Sequence, residues 1–312
     1  MSRKNSARNF IPSKSNKIPS IDEILNEYFE SEDGANKKLQ DFFKAYYGFL
    51  QSAREERIEE IVESLTSVSN DSVSESYSRM VDLTYGDPLS VVGSLIGPGQ
   101  RFNIGEGMGH TKPFACLYVA NDYHTAFCEF HHYPPSYLRG GLDASKMALK
   151  KPENEMHVRV QVNIEKCIDL RDKENLRDFT RVISEIKPTD EFKKWAKELG
   201  HYALRTVQTH GELYRTLLDQ DFLRSYYSLE IPSNSQWFGY YCLRAGIQGI
   251  IYPSVRDEAG NNIGILIDNL KDTDSTIKLD DNIALIPDDR KILRADNYEF
   301  FKIKTATKKV LN

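Results

Sequence analysis

Four short runs between residues 116 and 268 constrain the architecture of the chain more than any other feature. "CLYVA" (116–120) is continuously apolar, as a strand buried on both faces would be. "HVRVQVNI" (157–164) alternates apolar and polar residues, the period of a strand with one wet face. "GIQGIIYP" and "NIGILID" are further short strands, separated by a turn around "RDEAGNN". Helical patterns lie between them: "NDYHTAFCEFHHY", opened by Asn121 or Asp122, and much of 176–230. Strands interleaved with helices in this way predict an α+β domain over about 76–285.

Upstream the period is helical. Ser20 and Glu23 have the spacing of a capping box ahead of Ile21, Ile24, Leu25 and Phe29. A second pattern runs from about Lys37 to Leu65, with Leu39, Phe42, Phe43, Tyr46, Phe49 and Leu50 on one stripe. Residues 20–75 therefore read as a helical N-terminal region. The serine-rich "SNDSVSESYS" (69–78) reads as the boundary between it and the α+β domain. Residues 1–19 carry Arg3, Lys4, Arg8, Lys14 and Lys17, no acid and little apolar surface, and read as a solvated, disordered tail. Residues 286–312 form a C-terminal extension.

The balance of charge excludes some functions. A net charge of −5 over 312 residues argues against a general nucleic-acid binder. No apolar run approaches the ~18 residues of a membrane span, and the basic N-terminus lacks the apolar stretch of a secretory signal. The four cysteines (Cys116, Cys128, Cys167 and Cys242) are widely spaced, as buried thiols in a reducing compartment would be. A cytoplasmic protein is the expectation.

Local motifs are weak one by one. The stretch "GPGQRFNIGEGMGH" (97–110) is followed by a strand pattern rather than a helix and lacks Gly-Lys-Ser/Thr. It is thus neither a Rossmann fingerprint nor a P-loop, and reads as a flexible, hairpin-like loop. His124, Cys128 and His131 share a helix face, but no fourth ligand accompanies them, and no metal site is expected. Ser254 in "YPSVRD" lacks the glycines of a nucleophile elbow. Glu129 sits among Phe127, Cys128 and Phe130, and a carboxylate in such company needs a partner or a task.

In their order, however, the segments resemble the RES-domain family, named for an arginine, a glutamate and a serine. "RMVDLTYGDPLS" looks like its opening arginine and Asp-Pro-Leu-Ser loop, and "GQRFN" stands where the family has Gly-Gly-Arg-Trp/Phe-Asn. "LYVANDYHTAFCE", "SNSQWFGYYCLRAG" and "AGIQGIIYPSVRDEAGNNIGILID" are similar to its later segments, for a resemblance over about 76–270. The loop between Arg101 and Tyr118 is longer than usual, and the N-terminal helices are not part of the core family.

The resemblance implies an ADP-ribosyltransferase-like mixed-sheet core and NAD as substrate, with no further cofactor. The activity implied is NAD hydrolysis or phosphorolysis, usually by the toxin of a toxin–antitoxin pair, so an antitoxin or inhibitor protein is an expected partner. ADP-ribosyl transfer to a macromolecule is the alternative, and a non-enzymatic interaction module a third reading. Carried over residue by residue, Arg79, Tyr118, Glu129 and Ser254 are the expected catalytic residues. Arg79, Arg101, Tyr118 and Asn103 are expected to bind NAD.

The chemistry suits these residue types. Cleaving the nicotinamide–ribose bond builds positive charge on the ribose ring, which the carboxylate of Glu129 would offset. Guanidinium forks at Arg79 and Arg101 match a pyrophosphate, and the Tyr118 ring can stack on nicotinamide. Ser254 is a donor that holds Glu129 or a ribose hydroxyl. Glycines near Arg101 would let backbone approach the ligand, with the "IGEGMGHTK" insertion as a lid.

Overall fold

The computed structural model describes residues 37–69, 71–82, 87–108, 112–132, 155–199, 206–220, 230–280 and 291–297. The basic tail and the Ser20 capping box lie outside them. The pattern over Lys37–Leu65 forms two helices rather than one: α1 (Lys37–Glu55) and α2 (Ile58–Thr66). Their apolar stripes serve different cores, which accounts for the break. Phe42, Phe43, Tyr46, Tyr47 and Leu50 of α1 pack in an aromatic cluster with Phe192 and Trp195, whereas Ile61 and Leu65 of α2 enter the main core. Arg57 fixes the junction, donating to Glu60 Oε1 (3.1 Å), Glu185 Oε2 (2.7 Å) and the carbonyl of Val182 (2.8 Å).

The serine-rich stretch is not a linker. It is most of β1 (Asp71–Asp82), which buries Val73, Tyr77 and Val81 and exposes Ser72 and Ser74. Its partner is β5 (Glu155–Asp169), paired antiparallel from Asp71↔Cys167 to Asp82↔Glu155. A domain boundary at 75/76 would cut this strand, and α2 shares the core of the sheet's helical face. The expected separate helical region is therefore part of one packed unit with the sheet.

The seven-stranded sheet has the order β1-β4-β7-β6-β5-β8-β9, with β4 Cys116–Ala120, β6 Gly249–Pro253, β7 Asn261–Leu266, β8 Thr276–Leu279 and β9 Ile292–Arg294. Because β1 pairs with both β4 and β5, the first five strands in that order close into a ring. Only β5 and β6 run parallel, so the sheet is mixed. The C-terminal extension contributes β9 as an edge strand with Leu293 fully buried. The fold class is α+β, with helices packed on a mixed sheet.

Strand alternation sorts the residues between two cores. Leu117, Val119, Ile251, Ile263 and Ile265 face one, together with Val158, Val160 and Val162 of β5. Cys116, Ile250, Tyr252 and Leu266 face the other, beneath α5 (Arg177–Ser184), α7 (His210–Leu217) and α8 (Asn234–Arg244). Two short helices lie on the chain before β5: α3 (Val92–Leu95) and α4 (Tyr123–His131). The helix α6 (Asp190–Glu198) supplies Phe192 and Trp195 to the aromatic cluster over α1. The short hairpin β2 (Gly99–Gln100) and β3 (Asn103–Ile104) lies under α8. There Gln236, the N3 residue of a capping box with Ser233, donates to the carbonyls of Pro98 (2.7 Å) and Asn103 (3.1 Å).

Candidate active site

Glu129 lies in the second turn of α4, whose N-terminus is set by Asp122 accepting from the Thr125 amide. Its carboxylate is held at one oxygen only. Ser254 Oγ donates to Oε1 at 2.6 Å, and Asn262 Nδ2 donates to the same oxygen at 2.8 Å. Ser254 follows β6 directly, and its hydroxyl in turn accepts from the amides of Arg256 and Asp257. With both of those amides on the Ser254 oxygen, the hydroxyl proton points to Glu129. Two donors on one oxygen fix the rotamer and leave Oε2 without a hydrogen-bond partner among the described residues.

Glu129 lines a cavity of about 490 Å³ that also takes in Arg79, Arg101, Tyr118, Tyr252, Arg256 and Asn262. Arg79, on β1, donates from Nη1 to the carbonyl of Tyr118 and from Nη2 to that of Ser90, both at 2.9 Å. Its Nε is buried without a partner, and no carboxylate pairs with it among the described residues. Burial pushes this guanidinium down to about 10. A cation with only neutral carbonyls for company is an anion site in waiting, since burying unneutralised charge is costly.

Arg101 sits at the tip of the β2–β3 hairpin, where it is 8% exposed. Its Nη1 bridges the carbonyls of Leu217 and Asp219 at 2.8 Å each, so it anchors the end of α7 as well as lining the cavity. Burial lowers its pKa, opposed by Tyr252, Glu129 and Tyr118. Burial likewise raises the Tyr252 phenol well above its usual value, with the Glu129 charge adding to the effect. Arg101, Tyr252 and Glu129 all line the cavity.

Tyr118 lines the cavity, but its hydroxyl is fully committed. It donates to Asn103 Oδ1 (3.0 Å) and accepts from the Phe102 amide (2.8 Å). Asn103 departs from expectation. It is fully buried and absent from the cavity lining, and Nδ2 donates to the carbonyls of Ser94 (2.6 Å) and Phe114 (3.1 Å). Its Oδ1 accepts from Gln100 and Tyr118. All its hydrogen-bonding capacity is spent inside the protein, so it braces the hairpin behind the cavity wall.

Over residues 97–108 the glycine-rich stretch is closely packed, and residues 109–111 of the expected lid lie outside the described residues. Gly99 has φ +88°, and a Cβ there would overlap the Asn103 carbonyl and the Gly105 amide. A Cβ on Gly105 would overlap the Gly99 amide. The glycines bring backbone against backbone, while Ile104 and Met108 are fully buried. Close chain packing, not ligand approach, is what they provide.

His124, Cys128 and His131 turn to separate surroundings: His124 Nδ1 lies 3.1 Å from Asp257 Oδ2, Cys128 is buried, and His131 Nε2 lies 3.3 Å from Glu155 Oε2. Among the described residues no group of three or more His, Cys, Asp or Glu side chains is arranged to hold a metal ion. No described helix is long and apolar enough to cross a membrane. Sequence reasoning missed Asn262 as a partner of Glu129. The signal was a polar residue directly before an apolar run, 3% exposed.

A ring-closed mixed sheet with a cavity lined by Glu129 and three arginines is the class of site this fold defines. The RES domain model matches residues 87–288, about two thirds of the chain, and the protein belongs to the RES domain family. The match begins downstream of Arg79, which β1 brings to the cavity. Among solved structures the chain is similar to one from the M. tuberculosis MbcT–MbcA toxin–antitoxin complex. The two are 14% identical, with a TM-score of 0.41 and coverage of 78% of this chain and 97% of that one. No curated protein matches the sequence.

Proposed function

We propose that this protein is an NAD-consuming enzyme that cleaves the nicotinamide–ribose bond, with water or phosphate as acceptor. The observation that carries the reading is the Glu129 carboxylate, pinned at Oε1 by Ser254 and Asn262 with Oε2 unpartnered, in a cavity shared with an unneutralised Arg79. Family membership supports NAD as the substrate.

Departure of nicotinamide takes the bonding electrons onto its ring nitrogen and leaves positive charge shared by the ribose ring carbon and oxygen. A carboxylate ~4 Å from that charge, at an effective dielectric of ~20, stabilises it by about 4 kcal/mol. That corresponds to roughly a thousandfold in rate, provided that Glu129 does not have to reorganise as the charge forms. The two donors on Oε1 meet that condition. Arg79, with Nε unused, is the group for the pyrophosphate, and the Tyr118 ring, held by its hydroxyl, forms a wall for the nicotinamide. The water or phosphate oxygen then bonds to the ribose carbon, and Oε2 accepts the proton lost from water.

Unrestrained NAD loss harms the cell that makes the enzyme, so we assign it the role of a toxin held by an inhibitor protein in the cytoplasm. Incubation with NAD, with and without inorganic phosphate, tests the activity. Free nicotinamide, accompanied by ADP-ribose or its 1″-phosphate, is expected. Intact NAD after prolonged incubation contradicts the reading, and label transferred to a macromolecule instead assigns ADP-ribosyl transfer.

A further inference from the structure

Glu129 is gripped by a loop that is itself tied back to Glu129's own helix. Thr125 and Glu129 are four residues apart on α4 and so lie on one face, a turn apart. Thr125 Oγ1 donates to Asp257 Oδ2 at 2.9 Å, the Asp257 amide donates to Ser254 Oγ at 3.0 Å, and Ser254 Oγ donates to Glu129 Oε1 at 2.6 Å. Helix to loop and back, the bonds form a closed circuit. Thr125, Asp257 and Ser254 are 0%, 7% and 9% exposed, so water does not compete strongly for these groups.

The loop has little freedom of its own. The Ser254 amide donates to the Gly260 carbonyl, the Gly260 amide to that of Asp257, and the Ala259 amide to Asp257 Oδ1. Gly260 packs so closely on Thr125 that a Cβ there would overlap Oγ1 and Cγ2. His124 Nδ1 shares Asp257 Oδ2 at 3.1 Å from the solvent side, its side chain 45% exposed. The Asp257 carboxylate thus joins the first turn of α4 to the turn that carries Ser254.

We propose that Thr125 and Asp257 are positioning residues for the NAD-cleaving reaction: their link sets the register between Ser254 and Glu129, and with it the direction of the free carboxylate oxygen. The proposal rests on the reading of Glu129 given above. Neither residue lines the cavity, so neither touches substrate. A small misplacement of a reacting group is enough to slow a step without weakening binding.

The test is a set of variants assayed by nicotinamide release. Thr125→Val keeps the shape and removes the donor; kcat should fall by about 10- to 100-fold, while KM stays within about twofold. Thr125→Ser, which restores the donor, should return kcat to near the wild-type value. In a Ser254→Ala background, Thr125→Val should cost little more, because its effect runs through Ser254. An unchanged kcat in Thr125→Val, or an equal loss on top of Ser254→Ala, would overturn the proposal. Wild-type protein that releases no nicotinamide would instead sink the NAD reading. Hydrogen exchange over 254–260 then judges the link itself: faster in Thr125→Val than in Thr125→Ser supports it, and equal rates overturn it.

Discussion

Ser254 Oγ lies 2.6 Å from Glu129 Oε1, a contact between residues 125 positions apart that joins the end of β6 to the second turn of α4. It makes the serine a holder of the carboxylate rather than a nucleophile. Removing it by Ser254→Ala leaves Asn262 as the sole donor to that oxygen. A hydrogen bond to a charged group contributes about 1.5–3 kcal/mol. The turnover of NAD should therefore fall by roughly 10- to 100-fold with little change in KM. Steady-state kinetics would check this, and an unchanged kcat would show that the serine does not set the carboxylate for the reaction.

Arg79 is expected to govern substrate affinity. Arg79→Lys keeps the charge but loses the planar fork, including the unpartnered Nε. Calorimetric titration with a non-cleavable NAD analogue should show binding weakened by roughly tenfold or more. Equal affinity would remove Arg79 from the pyrophosphate.

Asn103 separates structure from binding. Its four hydrogen bonds to the Ser94 and Phe114 carbonyls, the Gln100 amide and the Tyr118 hydroxyl are all internal. Asn103→Ala strands buried partners, so urea denaturation should show a loss of at least about 2 kcal/mol. Unaltered stability with weakened NAD binding would return Asn103 to the ligand.

The site's legibility in the sequence was uneven, for physical reasons. Segments with a clean period read well: "CLYVA" is β4, and Asp122 caps the helix that follows it. Residues 71–78 of β1 read as a domain boundary because only Val73 and Tyr77 among them are buried apolar side chains, and serines make up much of the rest. A strand needs alternate apolar residues on one face only, and serine on the other looks like a break. The glycine stretch looked mobile because close packing of backbone on backbone leaves no apolar signature. Glu129 stood out as an acid in an apolar helix, but its partner Ser254 was legible only through family resemblance. Nothing in the spacing of Thr125 and Asp257 announces their contact.

Alkaline pH should destabilise the protein. Burial raises the thiols of Cys116 and Cys167 from 9.0 to about 12 and that of Cys128 to about 11. A thiol whose folded pKa is raised contributes stability that is complete below the unfolded value near 9 and is lost as pH rises toward the folded value. The raised phenols of Tyr77 and Tyr241, both at about 12, act in the same direction above pH 10. Arg79, depressed to about 10, opposes them between there and its unfolded value. From pH 9 to 10 the thiols dominate, and the urea midpoint should fall across that interval. A midpoint that rises or holds would contradict the assigned burial.

The most direct test of the central claim is the single-turnover rate of nicotinamide release from NAD by Glu129→Gln, compared with wild type at saturating substrate. The glutamine can retain the Ser254 and Asn262 contacts through its carbonyl while removing the charge. Bound NAD with cleavage slowed by roughly a thousandfold is the predicted result. Cleavage at the wild-type rate would show that the carboxylate does not stabilise the ribosyl cation, and would contradict the account.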